Sequence, residues 1–186
     1  MADINACFEK VFEAEYNNDP KKFLHLNAGE KGYTLGGIYQ KANPNSIDWQ
    51  FVNNIVQVCK GDLQRASNML FYDERIFNQV IKVYTNNYFL PLKLDKVHSQ
   101  IKANEMFLFG VVAGVKTSVK LTQKLVGVVE DGIIGPITIN AINECKEDYF
   151  DTKFDELEKA YFIQLAEDKP FYRKFLKGWL NRSEAV

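Results

Sequence analysis

The chain has 186 residues, enough for one domain with a substantial core and too few for two large independent ones. With 46% hydrophobic, 25% charged and 13% aromatic residues it reads as globular rather than disordered. A formal net charge of -1 argues against a general nucleic-acid binder, which needs excess Lys and Arg to neutralise phosphates.

Phe8, Val11, Phe12 and Tyr16 recur at helical spacing and predict a helix from Asp3 to Tyr16, with Asp19-Pro20 turning the chain away. From Asn17 to Asn45 the chain is rich in Asn, Gly and Pro, which predicts a long ordered loop containing a short hairpin. Ser46 reads as the cap of a helix with Ile47, Phe51, Ile55 and Val58 on one face, punctuated by Gly61-Asp62. Ile76, Phe77, Val80, Ile81 and Tyr84 predict a helix over Tyr72 to Tyr88, broken by Pro91. Further helices are expected at Lys96 to Val112, Val115 to Leu125, Pro136 to Cys145 and Phe150 to Trp179. The expected fold class is therefore mostly α.

Cys7, Cys59 and Cys145 stand singly without a C-x-x-C pair, which suits reduced thiols better than zinc or a disulfide framework. His25 and His98 have no partner at ligand spacing, so no metal and no organic cofactor are expected. Met1 to Lys10 lacks the basic start and apolar run of an ordinary signal peptide, and no segment is long enough to span a bilayer. The expected setting is synthesis in the cytoplasm without stable membrane insertion, and a substrate outside the membrane would require export by another route.

The chemistry concentrates near the N-terminus. Glu13 lies at the end of the first amphipathic segment, and Glu30 and Thr34 follow in the run Glu30-Lys31-Gly32-Tyr33-Thr34-Leu35-Gly36-Gly37-Ile38. An acid on a helix end, followed by an acid and a hydroxyl on a Gly-rich loop, suits glycosidic bond cleavage. One group protonates the leaving oxygen while others stabilise or hydrate the opposite face of the sugar. An apolar wall from Phe12 and Tyr16 would raise the pKa of Glu13; the alternative is a solvated Glu13 beside Glu9 and Lys10. Glu15 has the same two readings, and Glu30-Lys31 reads equally as an exposed turn.

Glu13-Ala14-Glu15-Tyr16-Asn17-Asn18-Asp19-Pro20 resembles the E-G-G-Y-x-N-D-P motif of glycoside hydrolase family 108, the phage-lysozyme-like N-acetylmuramidases also described as secretion activator proteins. The run from Glu30 to Ile38 is similar to that family's D-P-G-G-x-T-x-x-G-I. Ala14 and Glu15 replace both motif glycines, and an alternative register places the motif at Glu30-Lys31-Gly32-Tyr33. Tyr88-Phe89-Leu90-Pro91-Leu92 resembles its Y-W-x-P-L segment, and Phe175 to Arg182 its closing G-W-L-N-R. Gln123-Lys124-Leu125 through Asp131-Gly132-Ile133-Ile134-Gly135-Pro136-Ile137-Thr138 is similar to its peptidoglycan-binding region. Phe109-Gly110-Val111-Val112-Ala113 lacks the polar residues of the family's F-D-x-x-x-N pattern.

The resemblance implies a lysozyme-like helical fold, with a muramidase region over 1–90 and a helical peptidoglycan-binding region over 91–186, packed as one unit. It implies hydrolysis of the β-1,4 bond between N-acetylmuramic acid and N-acetylglucosamine. Glu13, Glu30 and Thr34 would be catalytic; Tyr16, Asp19, Tyr33 and Gly37 would bind substrate. Gln123, Asp131, Gly132, Gly135 and Thr138 would mark the peptidoglycan-binding region, although a Gly-bracketed turn docking two helices explains the Asp131 to Pro136 run as well. Glycan strands are the implied partner, with a holin or a secretion machinery for release. A non-catalytic peptidoglycan-binding or secretion-assisting protein on the same fold is the alternative.

Overall fold

The structure, a computed structural model, describes residues 1–27 and 29–182. Ala28 of the expected loop and positions 183–186 of the expected C-terminal region lie outside the described residues. The described chain is mostly helical, as the periodicity predicts. It divides into two compact units, Val11–Asn86, and Met1–Lys10 together with the chain from Asn87 on. The first ten residues thus group with the C-terminal unit.

Helix α1 spans Ile4–Tyr16. It stops where Asn17 and Asn18 take φ of 60° and 50°, the left-handed region that Asn tolerates better than other side chains with a Cβ. The Asn-rich loop then forms three antiparallel two-residue strands, β1 (Leu24–His25), β2 (Thr34–Leu35) and β3 (Ile38–Tyr39), in the order β1-β2-β3. Leu35 pairs with Ile38 and Thr34 with Tyr39, leaving Gly36 and Gly37 as a two-residue hairpin turn. Both have positive φ, 52° and 81°, as a type I′ turn needs.

Helices α2 (Trp49–Val58), α3 (Leu63–Phe71) and α4 (Glu74–Tyr84) complete this unit. Each starts on an aspartate whose carboxylate accepts an amide three residues on: Asp48 from Phe51, Asp62 from Arg65 and Asp73 from Ile76. The cap of α2 is thus Asp48 and not Ser46, and the buried face is Trp49, Val52 and Val56, with Val58 68% exposed. Trp49 fixes that face, because its indole N–H donates to the Asn43 carbonyl at 2.8 Å. Asp62 opens a helix where the sequence suggested only punctuation. The Tyr72 to Tyr88 helix is shorter than expected and ends in a π turn over Thr85–Phe89. The core is aromatic: Phe12, Tyr16, Phe23, Phe71 and Phe77 meet mostly edge to face at centroid distances of 5.4 to 5.6 Å.

The other unit holds α5 (Gln100–Ala113), α6 (Val115–Val126), α7 (Pro136–Glu144), α8 (Glu147–Asp168) and α9 (Arg173–Arg182). The expected helix from Phe150 to Trp179 is interrupted: Pro170 lacks an N–H, and a 3₁₀ turn over Pro170–Tyr172 separates α8 from α9. Phe109, Phe154 and Phe162 are fully or nearly fully buried, and Trp179 stacks on Phe162 at 4.7 Å. The buried Lys102 points its ammonium at the end of α7 and donates to the carbonyls of Ile142, at 2.8 Å, and Cys145. A cation there meets both the orphan carbonyls and the negative end of the helix dipole.

Candidate functional site

In the unit Val11–Asn86 the hairpin fixes one acid. Glu30 is half-buried, and its Oε2 accepts from Asn27 Nδ2 at 3.1 Å and, more weakly, from Thr34 Oγ1 at 3.5 Å. Thr34 is buried on β2, so its hydroxyl is held in place by the sheet. The structure therefore brings Glu30 and Thr34 together. Asn27, three residues before Glu30, belongs to the same cluster and was not singled out from the sequence.

Glu13 is exposed in the last turn of α1, and its carboxylate makes no hydrogen bond or ion pair among the described residues. Glu15, two residues on, points to a different side of the helix. A Cβ built on Gly37 would come within 2.8 Å of Glu15 Cγ and 2.4 Å of the Tyr84 hydroxyl. The carboxylate side chain that overlies the hairpin turn is thus Glu15, which occupies a position where the resembling motif has glycine.

Of the expected substrate-binding residues, Gly37 gives Glu15 this close approach. Tyr16 is buried against Phe12 and Phe23; burial pushes its hydroxyl pKa up, and the hydroxyl has no hydrogen-bond partner among the described residues. Asp19 closes the turn after α1, with Oδ1 accepting the Lys21 amide at 2.9 Å. Tyr33 is half-buried and is tied to Gln40, which accepts its amide at 3.1 Å and donates its own to the Tyr33 carbonyl at 2.9 Å.

In the other unit, Gln123 on α6 is 1% exposed and fully engaged. Its Nε2 reaches Asp131 Oδ1 at 2.7 Å, the Ile133 carbonyl at 3.1 Å and Thr138 Oγ1 at 3.3 Å, and its Oε1 accepts the Gly132 amide at 2.9 Å. Asp131 also accepts the Ile133 amide at 2.8 Å, and these two bonds hold its carboxyl below the usual carboxylate range. Gly132 has φ of 76°, and its missing Cβ leaves room for the stems of Lys116 and Lys120. Gln123, Asp131, Gly132 and Thr138 are therefore brought together and fasten the loop to α6 and α7. Gly135 opens α7 without a capping side chain.

A cleft of about 330 Å³ lies between α6 and α8, and its lining includes Lys120, Lys124 and Tyr161. None of the three was singled out from the sequence. The signal that could have found it is the helical spacing of Lys116, Lys120 and Lys124.

Residues 117–184 match a family described as "Predicted Peptidoglycan domain". Over 98% of this chain and 90% of the other, the structure is similar to that reported as "Structure of Brucella abortus SagA", with a TM-score of 0.66 and 19% identity. No curated protein matches the chain. The domain match supports a peptidoglycan-related protein, and the likeness to SagA is one of fold.

Proposed function

We propose that the protein hydrolyses the β-1,4 bond between N-acetylmuramic acid and N-acetylglucosamine in peptidoglycan. Glu13, at the solvent-facing end of α1, gives a proton to the leaving glycosidic oxygen. Glu30 with Thr34 orients the water that replaces it or balances positive charge on the ring. The observation that carries this reading is the fixing of Glu30 by Asn27 and Thr34 on the hairpin that follows the acid-bearing helix. Two carboxylates suffice for the reaction, so no metal or organic cofactor is invoked. The substrate lies outside the cytoplasmic membrane, and release through a holin or a secretion machinery completes the proposal. The test is release of reducing ends from purified peptidoglycan by the native chain, Glu13→Gln and Glu30→Gln. Loss of a general acid lowers the rate ~10²- to 10⁴-fold.

A second reading is a non-catalytic peptidoglycan-binding or secretion-assisting protein on the same fold. It is favoured by one observation: Glu15, not a glycine, overlies Gly37, while Glu13 is solvated. Sedimentation with peptidoglycan without any released reducing end would support it.

A further inference from the structure

The cleft between α6 and α8 has a composition that suits one ligand class. Leu121, Leu157 and Ala160 supply an apolar lining, and Tyr161 adds an aromatic ring. The ring is held rather than free, because it meets Phe109 edge-on at a centroid distance of 5.3 Å. Lys120 and Lys124 line the same space from α6. Both are exposed, and neither has a carboxylate within 4 Å among the described residues. Glu130 and Gln164 add acceptor oxygens for amide N–H groups.

The loop fastened by Gln123 gives one of these lysines its place. The stem of Lys120 runs over Gly132, with Cε 3.3 Å from where a Cβ would stand. A Cβ at 132 would meet Lys116 Cγ at 2.9 Å and crowd Lys120 Cε, so the Lys116 stem would have to shift and that of Lys120 to give slightly. The network from the buried Gln123 to Thr138 thus acts on the cleft indirectly, by holding the loop over which the Lys120 stem runs.

We propose that this cleft binds the carboxylate-bearing muropeptide part of peptidoglycan, with an N-acetylated sugar or alanyl methyl face against Tyr161 and the apolar lining, and a peptide carboxylate between Lys120 and Lys124. All the lining residues lie within 117–164, inside the segment that matches the peptidoglycan domain. The cleft volume of about 330 Å³ suits one sugar or a short peptide stem rather than a long glycan. Lys120 and Lys124 outnumber the one carboxylate of the lining, Glu130, and so favour a ligand with a carboxylate over a neutral one. The inference deepens the peptidoglycan reading and rests on it.

The test is calorimetric titration of the intact chain with muramyl dipeptide and, as a carboxylate-free comparison, the N-acetylglucosamine trimer. Lys120→Gln/Lys124→Gln removes both charges from exposed positions, and thermal melting checks that the fold is kept. The expected result is binding of muramyl dipeptide by the native chain, weakened at least about tenfold in the double variant, with the neutral trimer weaker still. Equal affinity of native and double variant for muramyl dipeptide would overturn the inference. Retention of the native chain on insoluble peptidoglycan with no response to muramyl dipeptide would also overturn it, while sparing the peptidoglycan reading. Failure to bind either would bring down both.

Discussion

Tyr84 donates its phenolic hydroxyl to the carbonyl oxygen of Gly36 at 2.9 Å, in a buried bond that fastens the hairpin turn to the end of α4. Tyr84→Phe leaves that carbonyl buried without its donor, at a cost of about 1–3 kcal/mol. Gly37→Ala acts on the same spot from the other side, since its Cβ meets the Tyr84 hydroxyl and Glu15 at a φ of 81°. Both variants are expected to lower the midpoint of chemical denaturation of the intact chain, and Gly37→Ala also shifts the hairpin that carries Thr34.

The Gln123 side chain joins α6, the 131–133 loop and α7. Gln123→Leu keeps the volume but strips partners from Asp131, the Gly132 amide and Thr138, at about 2–3 kcal/mol by urea denaturation. The Asp131 carboxyl, held low in the folded protein, contributes stability above its unfolded pKa that is lost as pH falls through its folded value. The native chain should therefore lose more stability on acidification than Gln123→Leu does.

Glu105 on α5 is 1% exposed, and neither carboxyl oxygen has a hydrogen-bond partner among the described residues. Burial, reinforced by Asp155, Glu158 and Asp151 on α8 and opposed by Lys10, pushes its pKa up to about 9. The folded state then holds a proton that the unfolded chain releases, so stability falls as pH rises from the ordinary carboxylate range to about 9. Glu105→Gln removes the titration, and thermal melts should show it more stable than the native chain by up to about 3 kcal/mol at pH 7, with little difference at pH 4.

Cys7 is fully buried against Gln100, whose Nε2 lies 3.4 Å from its sulfur, and burial pushes its pKa up to about 12. Cys145 is half-exposed. Iodoacetamide at pH 8 should modify Cys145 first in the native chain, with Cys7 modified only on unfolding.

The helices announced by periodic apolar residues, such as Val115 to Leu125, were legible because burial of one face decides them. The hairpin was legible from Gly36 and Gly37, whose backbone freedom the turn uses. Helix α3 was hidden because Leu63–Phe71 is short and polar, and its start rests on the Asp62 side chain rather than on an apolar stripe. The face of α2 was misjudged because Trp49 anchors to the Asn43 carbonyl, a contact outside the helix. At the candidate site the pairing of Glu30 with Thr34 followed from their spacing on the loop. The orientation of Glu15 over Gly37 did not, since local spacing alone leaves two acids two residues apart indistinguishable in role.

The hydrolase account is tested most directly by the chemistry of the chain ends that the protein makes. Purified peptidoglycan is incubated with the native chain and with Glu13→Gln, reduced with borohydride, and its products are identified by mass spectrometry. The account predicts new reduced N-acetylmuramic acid ends from the native chain and their loss in Glu13→Gln at unchanged fold stability. Peptidoglycan that sediments with the native chain and carries no new reduced sugar would contradict it.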